Sequence, residues 1–168
     1  MRKGLISLLL LVSLFESVRA QKGYKSISAG PLISFPLQSH ELAIYKTGIG
    51  LEITGQYYLA SRSSLLLQIG YTSLGAKPGS YQENLKLISL KGGYKYDIGP
   101  SGFFVNGLVG TDIYNGPGAS LTLGGGKRFS VKDVYFIDAG IDLIGGDTPE
   151  RVNIKVAFGI FQRPKKAY

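Results

Sequence analysis

The feature that most constrains the fold is a regular alternation of apolar residues with small or polar ones. It is clearest in residues 47–59, where Ile49, Leu51 and Ile53 occupy odd positions and Gly50, Glu52 and other small or polar residues occupy even ones. Successive side chains of a β-strand point to opposite faces, so a period of two indicates a strand with one apolar and one polar face. This stretch is therefore predicted to be a two-faced strand.

The same pattern recurs along the chain and divides it into eight segments. Breaks rich in Gly, Pro, Ser and Asn separate them, and such short connections favour antiparallel neighbours in an up-and-down meander. The first segment is less regular because Pro31 interrupts it. The predicted segments are 25–37, 47–59, 65–72, 88–97, 103–113, 119–128, 135–143 and 152–160.

The polar face of these segments is unusual for a soluble sheet. It consists mainly of glycine and small residues, interrupted by single charges rather than covered with them. A balanced set of charges suits the narrow inside of a closed barrel, where ions can pair and small residues leave room for them. The predicted lumen charge network contains four acidic and four basic residues: Glu52, Lys91, Lys95, Asp112, Arg128, Asp138, Asp142 and Lys155.

Segment length points to a membrane. A strand of about 11 residues, rising ~3.3 Å per residue and tilted by about 40°, covers roughly 28 Å, enough for the ~25 Å apolar band of a membrane barrel. An open sheet edge in hydrocarbon would leave unpaired backbone groups, so the sheet must close. The predicted fold is all-β: an eight-stranded antiparallel up-and-down transmembrane β-barrel.

The first twenty residues have the pattern of a cleaved secretory signal. A basic start at Arg2 and Lys3 precedes 11 apolar or small residues, and small residues at Val18 and Ala20 precede the expected cut. This run is too short for a membrane-spanning helix. We therefore assign residues 1–20 to a signal peptide and residues 21–168 to one barrel domain. The chain has no cysteine, so no disulfide supports the fold.

Charge and aromatic residues fit the same interpretation. Removing residues 1–20 leaves 16 basic and 10 acidic residues, and these are scattered rather than gathered in a stripe, which argues against nucleic acid as a partner. Aromatic rings near segment ends suit the two headgroup boundaries of a membrane. The rings assigned to these boundaries are Tyr45, Tyr57, Tyr71, Tyr94, Tyr96, Tyr135, Phe158 and Phe161.

This pattern, over residues 25–161, resembles the small porin-like outer-membrane β-barrel proteins of Gram-negative, Bacteroidota-like bacteria. The most specific part is the last segment, 152–161, which is similar to the terminal strand that barrel-assembly machinery recognises in that family. Many members end on the aromatic residue, whereas this chain continues through residues 162–168. The resemblance implies an outer-membrane location, contact with membrane lipid and lipopolysaccharide, and assembly by that machinery. We expect a monomer.

With the N-terminus in the periplasm, the connections near 38–44, 74–84, 114–118 and 145–150 would lie outside the cell. All are short for a receptor or adhesin. A large recognition surface is therefore not expected.

Candidate catalytic and ligand-binding motifs are weak. His40 is flanked by Ser39 and Glu41, but a catalytic triad needs side chains that converge from separate positions. The run 124–128 (Gly-Gly-Gly-Lys-Arg) lacks the spacing of a phosphate-binding loop, so its glycines are assigned to a crowded strand. Two carboxylate pairs, Asp138 with Asp142 and Glu52 with Asp112, are assigned to ion pairs rather than a cation site. No catalytic, cofactor or metal residues are predicted.

The leading functional prediction is an integral outer-membrane barrel with a structural, envelope-stabilising or minor transport role. Eight strands enclose an interior only wide enough for side chains, so a general diffusion pore is not expected. Two alternatives stay open. One is a lipid-modifying enzyme of the outer membrane that uses His40, and the other is a soluble periplasmic lipocalin-like carrier, whose apolar face would line a cavity.

Overall fold

The computed structural model describes residues 23–37, 44–79, 83–131 and 134–162, and it forms eight β-strands. The predicted signal peptide, residues 1–20, lies outside the described residues. The strands are β1 (Lys25–Pro36), β2 (Tyr45–Tyr58), β3 (Ser63–Ala76), β4 (Leu85–Ile98), β5 (Phe103–Ile113), β6 (Pro117–Ser130), β7 (Tyr135–Gly146) and β8 (Arg151–Gln162).

The strands form a closed barrel in chain order, which confirms the predicted fold class. Each strand pairs antiparallel with the next, and β1 pairs with β8 to complete the cylinder. Strand β3 is longer than predicted, because its ladder to β4 continues to the Leu74–Leu85 pair.

The two ends of the barrel differ in what they carry. The connections β1–β2, β3–β4, β5–β6 and β7–β8 lie at one end, here called the loop end. The other three connections lie with the start of β1 and the end of β8 at the opposite end, here called the terminal end. These names describe the barrel alone and assign neither end to a side of a membrane.

Large aliphatic side chains cover the outside of the barrel. Ile49, Leu51 and Ile53 are 71%, 64% and 52% exposed, whereas Glu52 between them is 6% exposed. The same division holds on the other strands, with one row outward and apolar and the other inward. Such a surface is costly in water and suited to hydrocarbon. The lipocalin-like carrier requires the opposite orientation, so the structure contradicts that alternative.

The interior contains more apolar packing than the sequence pattern predicted. Leu74, Leu85 and Leu87 form a buried cluster at the loop end, and Tyr45 packs against it. Two aromatic residues that were assigned to the membrane boundary, Tyr45 and Phe161, instead pack toward the interior, so those two assignments are wrong. A register irregularity between Tyr45 and Gly48 precedes the regular part of β2, and Phe161 occupies an inward position of β8, where its ring packs on Phe136.

Close approaches inside the barrel explain two glycines. A Cβ on Gly159 would collide with the ring of Phe136, and a Cβ on Gly124 would collide with the carboxylate of Asp142. Any side chain at these positions would displace the neighbour that fills the space.

Within the described ranges, no helix is long and apolar enough to cross a membrane.

Candidate functional site: the ion-paired lumen

Charged side chains from six strands meet inside the barrel and form three clusters along its axis. We call them the loop-end, central and terminal-end clusters. Each gathers side chains that are distant in sequence, because antiparallel closure brings the inward rows of several strands to similar heights.

The loop-end cluster centres on Asp112 of β5. Lys91 Nζ lies 3.3 Å from its Oδ1, and Arg151 Nη2 lies 2.6 Å from its Oδ2. The hydroxyl of Thr148 donates a hydrogen bond to Oδ2 at 3.2 Å, and Lys91 also donates to Thr122 Oγ1 at 3.0 Å. Asp112 is fully buried and Arg151 is almost so. This carboxylate therefore links β4, β5, β8 and the β7–β8 connection.

The central cluster centres on Lys155 of β8. Its Nζ lies 2.6 Å from Asp142 Oδ2 and 2.9 Å from Glu52 Oε1. Thr54 Oγ1 donates to the same Glu52 oxygen at 3.2 Å. One ammonium is therefore shared by two carboxylates from β2 and β7. The bare backbone at Gly124 leaves room for Asp142.

The terminal-end cluster centres on Arg128 of β6. Its guanidinium makes a two-pronged contact with Asp138 of β7, with Nε to Oδ1 at 2.7 Å and Nη2 to Oδ2 at 2.6 Å, the strongest geometry for such a pair. Its Nη1 donates to the hydroxyl of Tyr58. Lys95 Nζ lies 3.3 Å from Asp138 Oδ2 and 3.9 Å from Asp97 Oδ1.

Aromatic rings surround these two cations. The Arg128 guanidinium carbon lies 3.9 Å from the ring centre of Phe136, which itself lies 4.7 Å from that of Phe161. Lys95 Nζ lies 3.7 Å from the ring centre of Phe104. Cation–π contacts therefore add to the ion pairs at this end.

Taken together, the three clusters balance in charge. Among the described residues that enter these ion pairs, five are basic and five are acidic. Breaking a buried pair is far more costly than exchanging it for apolar packing, because the remaining charge loses its partner. Removing one charged side chain from a cluster is therefore expected to lower the stability of the barrel.

The space between the clusters is small. A cavity of about 40 Å³ lies between the central and terminal-end clusters and is bordered by Glu52, Lys155, Lys95 and Asp138. A second of about 10 Å³ lies between the central and loop-end clusters. By volume, the first has room for a few water molecules and the second for about one. Side chains fill the rest of this part of the lumen.

All eight residues of the predicted charge network point into the lumen and pair there. The structure adds two partners that the prediction lacked, Arg151 and Asp97. Arg151 was missed because β8 begins one residue before the predicted segment. Asp97 lies two residues after its partner Lys95 on the same face of β4, so the period-two pattern itself could have identified this pair.

The two carboxylate pairs considered as possible cation sites do not come together in the barrel. Asp138 and Asp142 join different clusters, as do Glu52 and Asp112. Within the described part of the chain, no group of three acidic, histidine or cysteine residues is placed to hold a metal ion. His40 lies outside the described residues.

The fold and its lumen define a class: small closed barrels with eight antiparallel strands, an aliphatic exterior and a packed, charge-paired interior. No protein-family model matches the chain, and no curated protein matches its sequence.

Particular solved structures share this fold. Ail, the attachment invasion locus protein of Yersinia pestis, is 18% identical with a TM-score of 0.61, over 84% of this chain and 100% of Ail. Neisserial surface protein A is 15% identical with a TM-score of 0.56, over 82% and 94% of the two chains. The outer membrane protein OprG from Pseudomonas aeruginosa is 13% identical with a TM-score of 0.51, over 86% and 98%. At these identities the likeness establishes the fold.

Proposed function

We propose that this protein is an integral outer-membrane barrel with a structural, envelope-stabilising role. The observation that carries the proposal is the orientation of the barrel wall, with exposed aliphatics outside and paired charges inside. A surface of this kind is stable only where hydrocarbon covers it. Backbone groups can cross that hydrocarbon because the closed sheet pairs them all around the cylinder.

The outer membrane is the proposed location because barrels of this fold include outer-membrane proteins such as OprG. The signal peptide of residues 1–20 belongs to the same proposal, as do lipopolysaccharide contact, assembly by the barrel-assembly machinery and a monomeric state. Placement among Bacteroidota-like barrels rests on the sequence pattern alone.

A structural role is favoured over transport because the lumen is occupied. The central cluster joins β8 to β2 and β7 inside the barrel, and the adjoining cavities have room only for water-sized molecules. No catalytic function is proposed.

Fractionation and gel mobility test this proposal. The mature protein should remain with outer membranes after carbonate washing, begin at Gln21, and change its mobility on a detergent gel when heated. A protein recovered in the soluble periplasmic fraction, with the same mobility before and after heating, would contradict it.

A further inference from the structure

A groove of about 410 Å³ lies on the outer surface of the barrel at the terminal end. Its floor is Gly55, which pairs with Ile27 on one side and Leu67 on the other. A Cβ on Gly55 would have only the Leu67 carbonyl oxygen within 4 Å, at 3.8 Å, so the floor is open rather than crowded. A glycine here leaves a recess in a row of otherwise large outward side chains.

The groove is apolar along its length and basic at one end. Ile27 and Leu67 are 50% and 58% exposed and form its sides. Lys25, one outward position beyond Ile27 and the first residue of β1, is exposed at the edge of the aliphatic band. Gln162 pairs with Lys25 across β8, and Tyr57 pairs with it across β2.

Nothing within the described groove compensates the charge of Lys25. No acidic residue lines the groove. Lys127, which also faces outward near this end, differs: its Nζ lies 4.9 Å and 5.2 Å from the ring centres of Phe103 and Phe129. A lysine beside aromatic rings gains some stabilisation from them, whereas Lys25 offers its charge to an external anion.

We propose that this groove binds one anionic phospholipid. An acyl chain lies over Gly55 between Ile27 and Leu67, and the headgroup phosphate contacts the ammonium of Lys25. The Gln162 amide and the Tyr57 hydroxyl are donors within reach of the same headgroup. This inference rests on the proposed membrane location.

The charge at one end favours a phospholipid over a second copy of the chain. A flexible acyl chain fills a narrow recess on a curved wall, and its phosphate supplies the missing anion. A basic residue near a membrane surface contributes about 1 kcal/mol toward anionic lipid, which corresponds to about a fivefold preference.

Native mass spectrometry of the folded barrel tests the proposal. The protein is folded into vesicles containing equal parts of phosphatidylcholine and phosphatidylglycerol with identical acyl chains, and is then released in mild detergent. The wild-type protein should retain one phosphatidylglycerol, about fivefold more often than phosphatidylcholine. Gly55→Leu should lose retention of both lipids, and Lys25→Gln should lose the preference between them.

Matched variants separate the groove from the rest of the wall. Gly107 is also outward and open, since its Cβ would first meet Leu123 Cδ2 at 3.7 Å, so Gly107→Leu should retain lipid as the wild type does. Lys127→Gln should keep the preference.

Two results would overturn the groove proposal in a protein that folds into the vesicles. One is equal retention of both lipids by the wild type, and the other is a lipid-free dimer that Gly55→Leu converts to a monomer. A protein that does not fold into vesicles at all would instead refute the membrane location, and the groove proposal with it.

Discussion

Replacing Lys155 with methionine should destabilise the barrel more than replacing any outward-facing lysine. Lys155 contacts two carboxylates, at 2.6 Å and 2.9 Å, and methionine keeps the length of the side chain while removing its charge. Asp142 would then lose the cation that contacts its Oδ2. Its Oδ1 already has no hydrogen-bond partner among the described residues. Glu52 would keep only the hydroxyl of Thr54.

The expected loss follows from the cost of an uncompensated buried charge. Removing one partner of a buried pair costs about 3–5 kcal/mol. Because two carboxylates would lose their cation, the expected loss of stability for Lys155→Met lies in the upper part of that range. Adding Asp142→Asn removes one of them and should restore about 1–3 kcal/mol, the usual cost of a buried group without its partner.

Urea unfolding in phospholipid vesicles measures these differences, with the folded fraction read from unheated gel mobility and from circular dichroism. Lys127→Met is the control, and it should cost less than about 1 kcal/mol because that side chain lies on the outer surface near the terminal end. A loss below about 1 kcal/mol for Lys155→Met, or no recovery in the double variant, would refute the assignment of the central cluster as a structural element.

Three further outcomes are expected. Gly159→Ala should lower stability by about 1–3 kcal/mol because its methyl group would collide with the Phe136 ring, whereas Gly55→Ala should be nearly neutral; urea midpoints that do not separate the two variants would contradict the packing argument. Ile53→Arg, in the middle of the outer band, should cost about 2–4 kcal/mol and Tyr57→Arg, near its edge, about 0–1 kcal/mol, measured in the same assay; equal costs would argue against a membrane around this wall. The purified wild-type barrel in planar bilayers should give no stable single-channel current, and regular stepwise openings would show that the lumen is not closed.

The strand count and the outward face of each strand could be predicted from the sequence. The reason is local: alternation along one strand assigns each side chain to a face, whatever the other strands do. Where the alternation was irregular the prediction was less accurate, as at Tyr45, which lies just before the irregular pairing of β2 with β3.

The partners within the lumen required the tertiary structure. Glu52 and Lys155 are 103 residues apart, and the sequence assigns both to the inward face without indicating their heights in the barrel. Those heights depend on how far each strand is shifted along its neighbour and on the closure of β1 against β8, which sums the shifts around the cylinder.

The surface groove and the crowded glycines show the same division between local pattern and tertiary contact. In the sequence, Gly55 and Gly159 are both glycines within alternating strands. In the barrel, one opens onto the outer surface and the other lies beneath an aromatic ring, because the neighbouring strands place different side chains beside them. The sequence alone determined the strand pattern and which face of each strand points outward, since these depend on nearest neighbours along the chain. Only the closed barrel decided which charges pair and where the wall is recessed, since these depend on register between strands.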